Sequence, residues 1–143
     1  LLSEIIMDPK LRHQARKILL QAYYQWQLSG DKSGDLIKQY QDAKKHIKVD
    51  WPFFQEVLIG AINKHQELDA IISTHIERPL GEINPIEIAI LRLGVYELES
   101  YPDTPFRVII DQYLMICDIF GSEGGYRYVN GVLDKVAKAM GRF

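Results

Sequence analysis

Apolar residues recur at three- and four-residue steps through most of the chain, and that pattern predicts helices. Between about 9 and 29, Leu11, Ala15, Ile18, Ala22 and Trp26 form one stripe, the spacing that gathers side chains on one helical face. His13, Lys17, Gln21 and Tyr24 follow a second stripe, with Arg12 and Arg16 one turn apart. The loop GDKSG leads to a shorter helix near 35–47. Another begins near 50 with Phe53, Phe54, Val57, Leu58 and Ile62, and continues after a bend through Leu68, Ile71, Ile72 and Ile76. Helices follow at about 85–99, 105–119 and 125–140. Val129, Val132, Leu133, Val136 and Met140 supply the last core stripe. No stretch sustains the period-two alternation of a strand. The expected fold is all-α, a compact bundle of six to seven helices. Two helical halves join near Pro79-Leu80-Gly81 within one domain spanning 1–143.

The punctuation agrees. Asp8-Pro9, Asn84-Pro85 and Thr104-Pro105 each set a capping side chain before a proline, and Asp50-Trp51-Pro52 is a variant. The cap accepts a first-turn N–H, and proline lacks the donor that would otherwise go unpaired there. Gly121 is expected to end one helix and Ser122 to cap the next.

A hydrophobic fraction of 47% over 143 residues suits a single packed core. No apolar run is long enough to span a membrane. The N-terminal LLSEIIMDPK is too short and acidic for a secretory signal, and Cys117, the one cysteine, fits a reducing compartment. The expected location is cytoplasmic. Charge is uneven beneath a net −2. Lys10, Arg12, Arg16 and Lys17 face no acidic residue between Pro9 and Gly30. Glu82, Glu87, Glu97, Glu99 and Asp103 then outnumber Arg92. One basic and one acidic patch point to two different partners.

Chemistry is sparse. The four histidines form no metal-binding pair, no nucleophile elbow or Walker loop occurs, and Cys117 lies within the apolar run YLMICDIF. No catalytic residue, metal or cofactor is expected. The stretch SEGGYRYVNGVLDKV, residues 122–136, is not a phosphate loop, because Tyr126 follows its glycine pair where a lysine is required. Tyr128, Gly131 and Lys135 share one helical face, with Arg127, Asn130 and Asp134 on the next. A glycine inside a helix costs roughly 1 kcal/mol relative to alanine, so something approaches it closely, either a neighbouring helix or a ligand. Tyrosine beside Arg and Asn is also a platform for an unstacked base.

Four segments then carry a resemblance. FG followed shortly by YVNGVLDKVA resembles the C-terminal signature of the NusB family of bacterial transcription antitermination factors. IEIAILRLGVYEL, TPFRVIIDQYLMICDIFG and ARKILLQAYYQWQLSG are similar to its other helices, in the right order. The resemblance implies two three-helix-like halves and a partner, the ribosomal protein NusE. It also implies binding of single-stranded boxA RNA in rRNA transcripts, within an RNA polymerase antitermination complex. It assigns RNA contact to Arg12, His13, Arg16, Lys17, Gln21 and Tyr24 at one end of the chain. At the other it assigns Gly121, Arg127, Tyr128 and Asn130, with Lys135 beside them. Glu82, Glu87, Ile90, Arg92 and Tyr96 fall on the segment that resembles the NusE-facing helix, where Ile90 and Tyr96 also suit packing.

Departures concentrate near the proposed RNA face. The usual N-E-A is Asp111-Gln112-Tyr113, Asp118 stands where a lysine often occurs, and an acidic-Ser pair is Gly124-Gly125. Two other readings exist. One is a NusB-like fragment of an rRNA cytosine methyltransferase, which would need a Gly-rich cofactor loop and catalytic cysteines. The other is a structural module forming a homodimer through its hydrophobic surface.

Overall fold

Asp8, at the first described position, caps the first helix: its Oδ1 accepts the Lys10 N–H at 2.9 Å. The computed structural model describes residues 8–121 and 123–143. In order these form α1 (Pro9–Ser29), α2 (Ser33–Ala43), α3 (Trp51–Asn63), α4 (His65–Ser73), a 3-10 turn at Leu80–Glu82, α5 (Pro85–Ser100), α6 (Phe106–Phe120) and α7 (Gly125–Ala139). No strand occurs among the described residues.

The expected caps hold at three of the five sites. Asp50 Oδ1 accepts from the Phe53 amide at 3.1 Å and Asn84 Oδ1 from the Ile86 amide at 2.8 Å. Thr104 does not cap, because α6 starts one residue later with Pro105 at the cap position. Instead the Thr104 carbonyl accepts a hydrogen bond from Arg142. The cap assigned to Ser122 lies outside the described residues. The second helix is shorter than expected: after Ala43 the polar run KKHIK leaves the helix and turns, with the Ile47 amide donating to the Lys44 carbonyl at 3.1 Å. Those residues carry no stripe to bury, so packing does not extend the helix through them.

Helices α1, α2 and α3 pack on one another, as do α5, α6 and α7, and α4 bridges α3 to α5. A single cluster runs through both groups, from Leu19, Tyr23 and Phe54 to Leu91, Tyr113 and Leu133. Each fully buried leucine or phenylalanine contributes about 1.5–3 kcal/mol. Tyr23 satisfies its hydroxyl by donating to the Ala61 carbonyl at 2.8 Å. Cys117 is buried, and burial pushes its thiol up to about 11, which keeps it protonated and inert at neutral pH.

Two glycine sites answer the puzzle of residues 121–125. Gly121 has extended φ and ψ, so it is not a left-handed helix terminator. A Cβ there would collide with the Cys117 carbonyl and sulfur. In the pair Gly124-Gly125, Gly124 has φ +84, which favours glycine. A Cβ on Gly125 would enter the space filled by the Glu87 carboxylate. That buried carboxylate therefore sits at the N-terminus of α7, where unpaired amides and the helix dipole favour negative charge. Gly125→Ala should destabilise the fold by about 1–3 kcal/mol through overpacking, read as a lower urea midpoint; an unchanged midpoint would refute the contact.

Three tyrosines add a pH dependence. Burial raises the phenol pKa values of Tyr23, Tyr101 and Tyr113, with Glu56 adding to the rise at Tyr101 and Glu97 at Tyr113. Folded pKa values above the unfolded value of about 10 contribute stability that is complete below that pH. It is lost as pH climbs toward the folded values. Denaturant titrations should therefore show falling stability above about pH 10, and a flat profile there would contradict the buried phenols.

Candidate nucleic-acid interface

The basic stripe of α1 does not all face outward. Arg16 is 3% exposed and grips Glu97 of α5 with two hydrogen bonds, Nε to Oε2 at 2.9 Å and Nη2 to Oε1 at 2.8 Å. Tyr113 of α6 donates its hydroxyl to the same carboxylate. Burial alone would lower the Arg16 pKa, but the Glu97 charge and hydrogen bonds raise it above its ordinary value. This corrects the assignment of Arg16 to the RNA surface: its guanidinium is held inside, tying α1 to α5. Arg12 is partly withdrawn too. Its guanidinium lies 4.6 Å from the Phe53 ring centre, with Nε 3.4 Å from Asp50 Oδ2.

What remains outward on α1 is a ridge. His13 Nδ1 is hydrogen-bonded to Gln112 Oε1 of α6. Lys17 makes no ion pair among the described residues, and its carbonyl accepts from the Gln21 side chain at 3.5 Å. Gln21 and Tyr24 line a small surface cavity of about 90 Å³ with Leu20, Ile86 and Phe120. Beside the ridge, α6 exposes Val108, Met115, Ile119 and Phe120 at 45%, 51%, 60% and 40%. Reasoning from the sequence missed Met115, Ile119 and Phe120. For Met115 and Ile119 the available signal was their position off the buried stripe Ile109, Tyr113, Ile116, where polar residues are usual; Phe120 continues that stripe and is exposed at the end of the helix.

The second group falls elsewhere. Tyr128, Gly131 and Lys135 do share a face, and they line a cavity with His75 and Arg78. Tyr128 is half-buried rather than exposed, its ring 5.2 Å from the Arg78 guanidinium and its hydroxyl buried without a partner. Arg127 is exposed, Asn130 is half-buried with an unpaired Oδ1, and Gly121 follows Phe120 at the end of α6. Tyr128 also lines a polar cavity of about 410 Å³ with Arg78, Glu82, Asn84, Glu87, Glu123 and the glycine pair. It thus stands beside the acidic residues, while Tyr24 stands beside Phe120.

The segment assigned to the partner is mostly internal. Ile90 is fully buried and Tyr96 is 8% exposed, because both lie on the core side of α5. Arg92 is held by Asp69 of α4 at 2.7 and 2.8 Å and by Gln27 of α1 at 3.0 Å. Burial moves Ile90 and Tyr96 from the partner surface to the core, while Arg92 is half-buried in these polar contacts. Glu82 is exposed on the 3-10 turn, and Glu87 is buried at the cavity edge.

The fold defines an all-helical bundle of two interlocked three-helix groups, and its exposed mixture of aromatic, aliphatic and basic side chains is that of a macromolecule-binding domain. The NusB family model matches residues 13–138, and this chain belongs to the NusB family. Transcription antitermination protein NusB of Shewanella woodyi is 41% identical over 130 residues, covering 91% of this chain and 97% of that protein. The corresponding Alcanivorax borkumensis protein is 39% identical over 132 residues, covering 92% and 88%. The fold resembles NusB in a crystal structure of NusB and NusE with double-stranded RNA. There the TM-score is 0.83 at 26% identity, with 92% of this chain and 98% of that one covered. T. maritima NusB gives a TM-score of 0.78 at 27% identity, covering 89% and 90%.

Proposed function

We propose that this chain is a cytoplasmic transcription antitermination factor. It binds boxA RNA of rRNA transcripts together with the ribosomal protein NusE, as part of the RNA polymerase antitermination complex. It acts by binding, without catalysis. The observation that carries the reading is the ridge Lys17, Gln21 and Tyr24 beside the exposed Phe120. An amine there meets phosphate, and two rings offer faces on which unpaired bases stack. The names of the relatives support antitermination, and the NusB–NusE–RNA structure supports both partners. Glu82 at the rim of the acidic cavity suits a basic ribosomal protein.

The exposed Phe120 ring beside the half-buried Tyr24 favours a single strand, since bases in a duplex are already stacked. The test is fluorescence anisotropy of the complex with NusE against boxA RNA, a scrambled strand and a boxA duplex. Tightest binding to the boxA strand is expected. Equal affinity for the scrambled strand would overturn the specific role, and preference for the duplex would overturn stacking as its basis.

A further inference from the structure

The most exposed run of positive charge is not on α1. Lys44, Lys45 and Lys48 lie in the turn after α2, with no acidic residue between Asp42 and Asp50. Lys45, His46, Ile47 and Lys48 are exposed. None of the three lysines forms an ion pair among the described residues, and neither does Lys10. Asp50, the acid closest along the chain after the turn, is already engaged by the Phe53 amide and by Arg12.

The turn is also placed. The Asp50 amide donates to the Leu11 carbonyl at 3.2 Å, and Asp50 meets Arg12. These contacts fix the end of the turn against the first turns of α1, the helix whose outward ridge carries Lys10 and Lys17. The same helix has Arg16 buried against Glu97 and Arg12 stacked on Phe53. Its own capacity for phosphate is therefore reduced where the neighbouring turn supplies amines.

Resting on the RNA-binding reading above, we propose that the 44–48 turn is a second RNA surface. It holds the sugar-phosphate backbone of nucleotides flanking those that meet Tyr24. Lysines on flexible stems act as point charges without a fixed fork, so this surface adds affinity and not base preference. Each phosphate neutralised on a single strand contributes about −0.7 to the slope of log affinity against log salt.

The test uses the full chain in complex with NusE. Anisotropy titrations over a range of salt compare a short boxA strand with strands extended at the 5′ or the 3′ end. For Lys44→Gln/Lys45→Gln/Lys48→Gln, affinity for one extended strand should fall about tenfold and its salt slope by about 2, three contacts at 0.7 each. Affinity for the short strand should hold. An unchanged slope on both extended strands would overturn the surface while leaving the RNA reading intact, provided the wild type still binds boxA. Equal loss on short and extended strands would overturn the flanking position. Loss of NusE binding instead would show that the turn serves a protein, and failure of the wild type to bind any strand would remove both proposals.

Discussion

Replacing Glu97 with alanine is expected to destabilise the protein by about 3–5 kcal/mol, the usual result of removing one partner from a buried ion pair. At roughly 2–4 °C per kcal/mol for a domain near this size, melting should fall by about 6–20 °C. The reason is the isolation of the pair. Arg16 is 3% exposed and Glu97 is fully buried, so the stranded guanidinium would keep its charge without a counter-ion or access to water. Tyr113 would lose its acceptor at the same time. Arg16→Met combined with Glu97→Leu removes both charges and should be less damaging than Glu97→Ala alone. A loss below about 1 kcal/mol for Glu97→Ala would mean that the pair is wet, because exposed pairs contribute about 0–1 kcal/mol.

The second large effect concerns RNA. Tyr24→Ala should weaken boxA binding by about 5- to 150-fold, the equivalent of roughly 1–3 kcal/mol for one stacked base. Tyr24→Phe keeps the ring face and should bind within about twofold of wild type. Tyr24 makes no hydrogen bond to another element among the described residues, and it is half-buried at the helix surface. Stability and NusE binding should therefore change little. A Tyr24→Ala protein that binds boxA normally would remove the α1 ridge from the interface. The half-buried Tyr128, already covered by Arg78, would then become the stronger candidate.

Local patterns were legible in the sequence where local forces decide. The stripe Leu11, Ala15, Ile18 and Ala22 together with Asp8-Pro9 and Gly30 located α1 to its observed ends. The pairs Asp50-Pro52 and Asn84-Pro85 located the starts of α3 and α5. Legibility failed where the deciding partner is distant. Arg16 reads as one more surface cation until α5 brings Glu97, 81 residues later, against it. His13 meets Gln112 across 99 residues. The glycine pair looked like loose turn chemistry, yet Gly125 is small because Glu87 fills its side-chain space. Tyr128 lies on the expected face of α7, but nothing in its own helix announces that Arg78 covers it. The apolar edge of α6 emerged only once the packing of α1 and α7 showed which side of that helix stays open.

The central claim is that RNA lies along α1 and the end of α6. Amide hydrogen exchange of the complex with NusE, measured with and without boxA RNA, tests it most directly because only the RNA changes. Added protection is predicted at residues 17–24 and 115–121. Protection confined to 75–82 and 125–135, with α1 unchanged, would contradict the account and place the RNA over Arg78 and Tyr128.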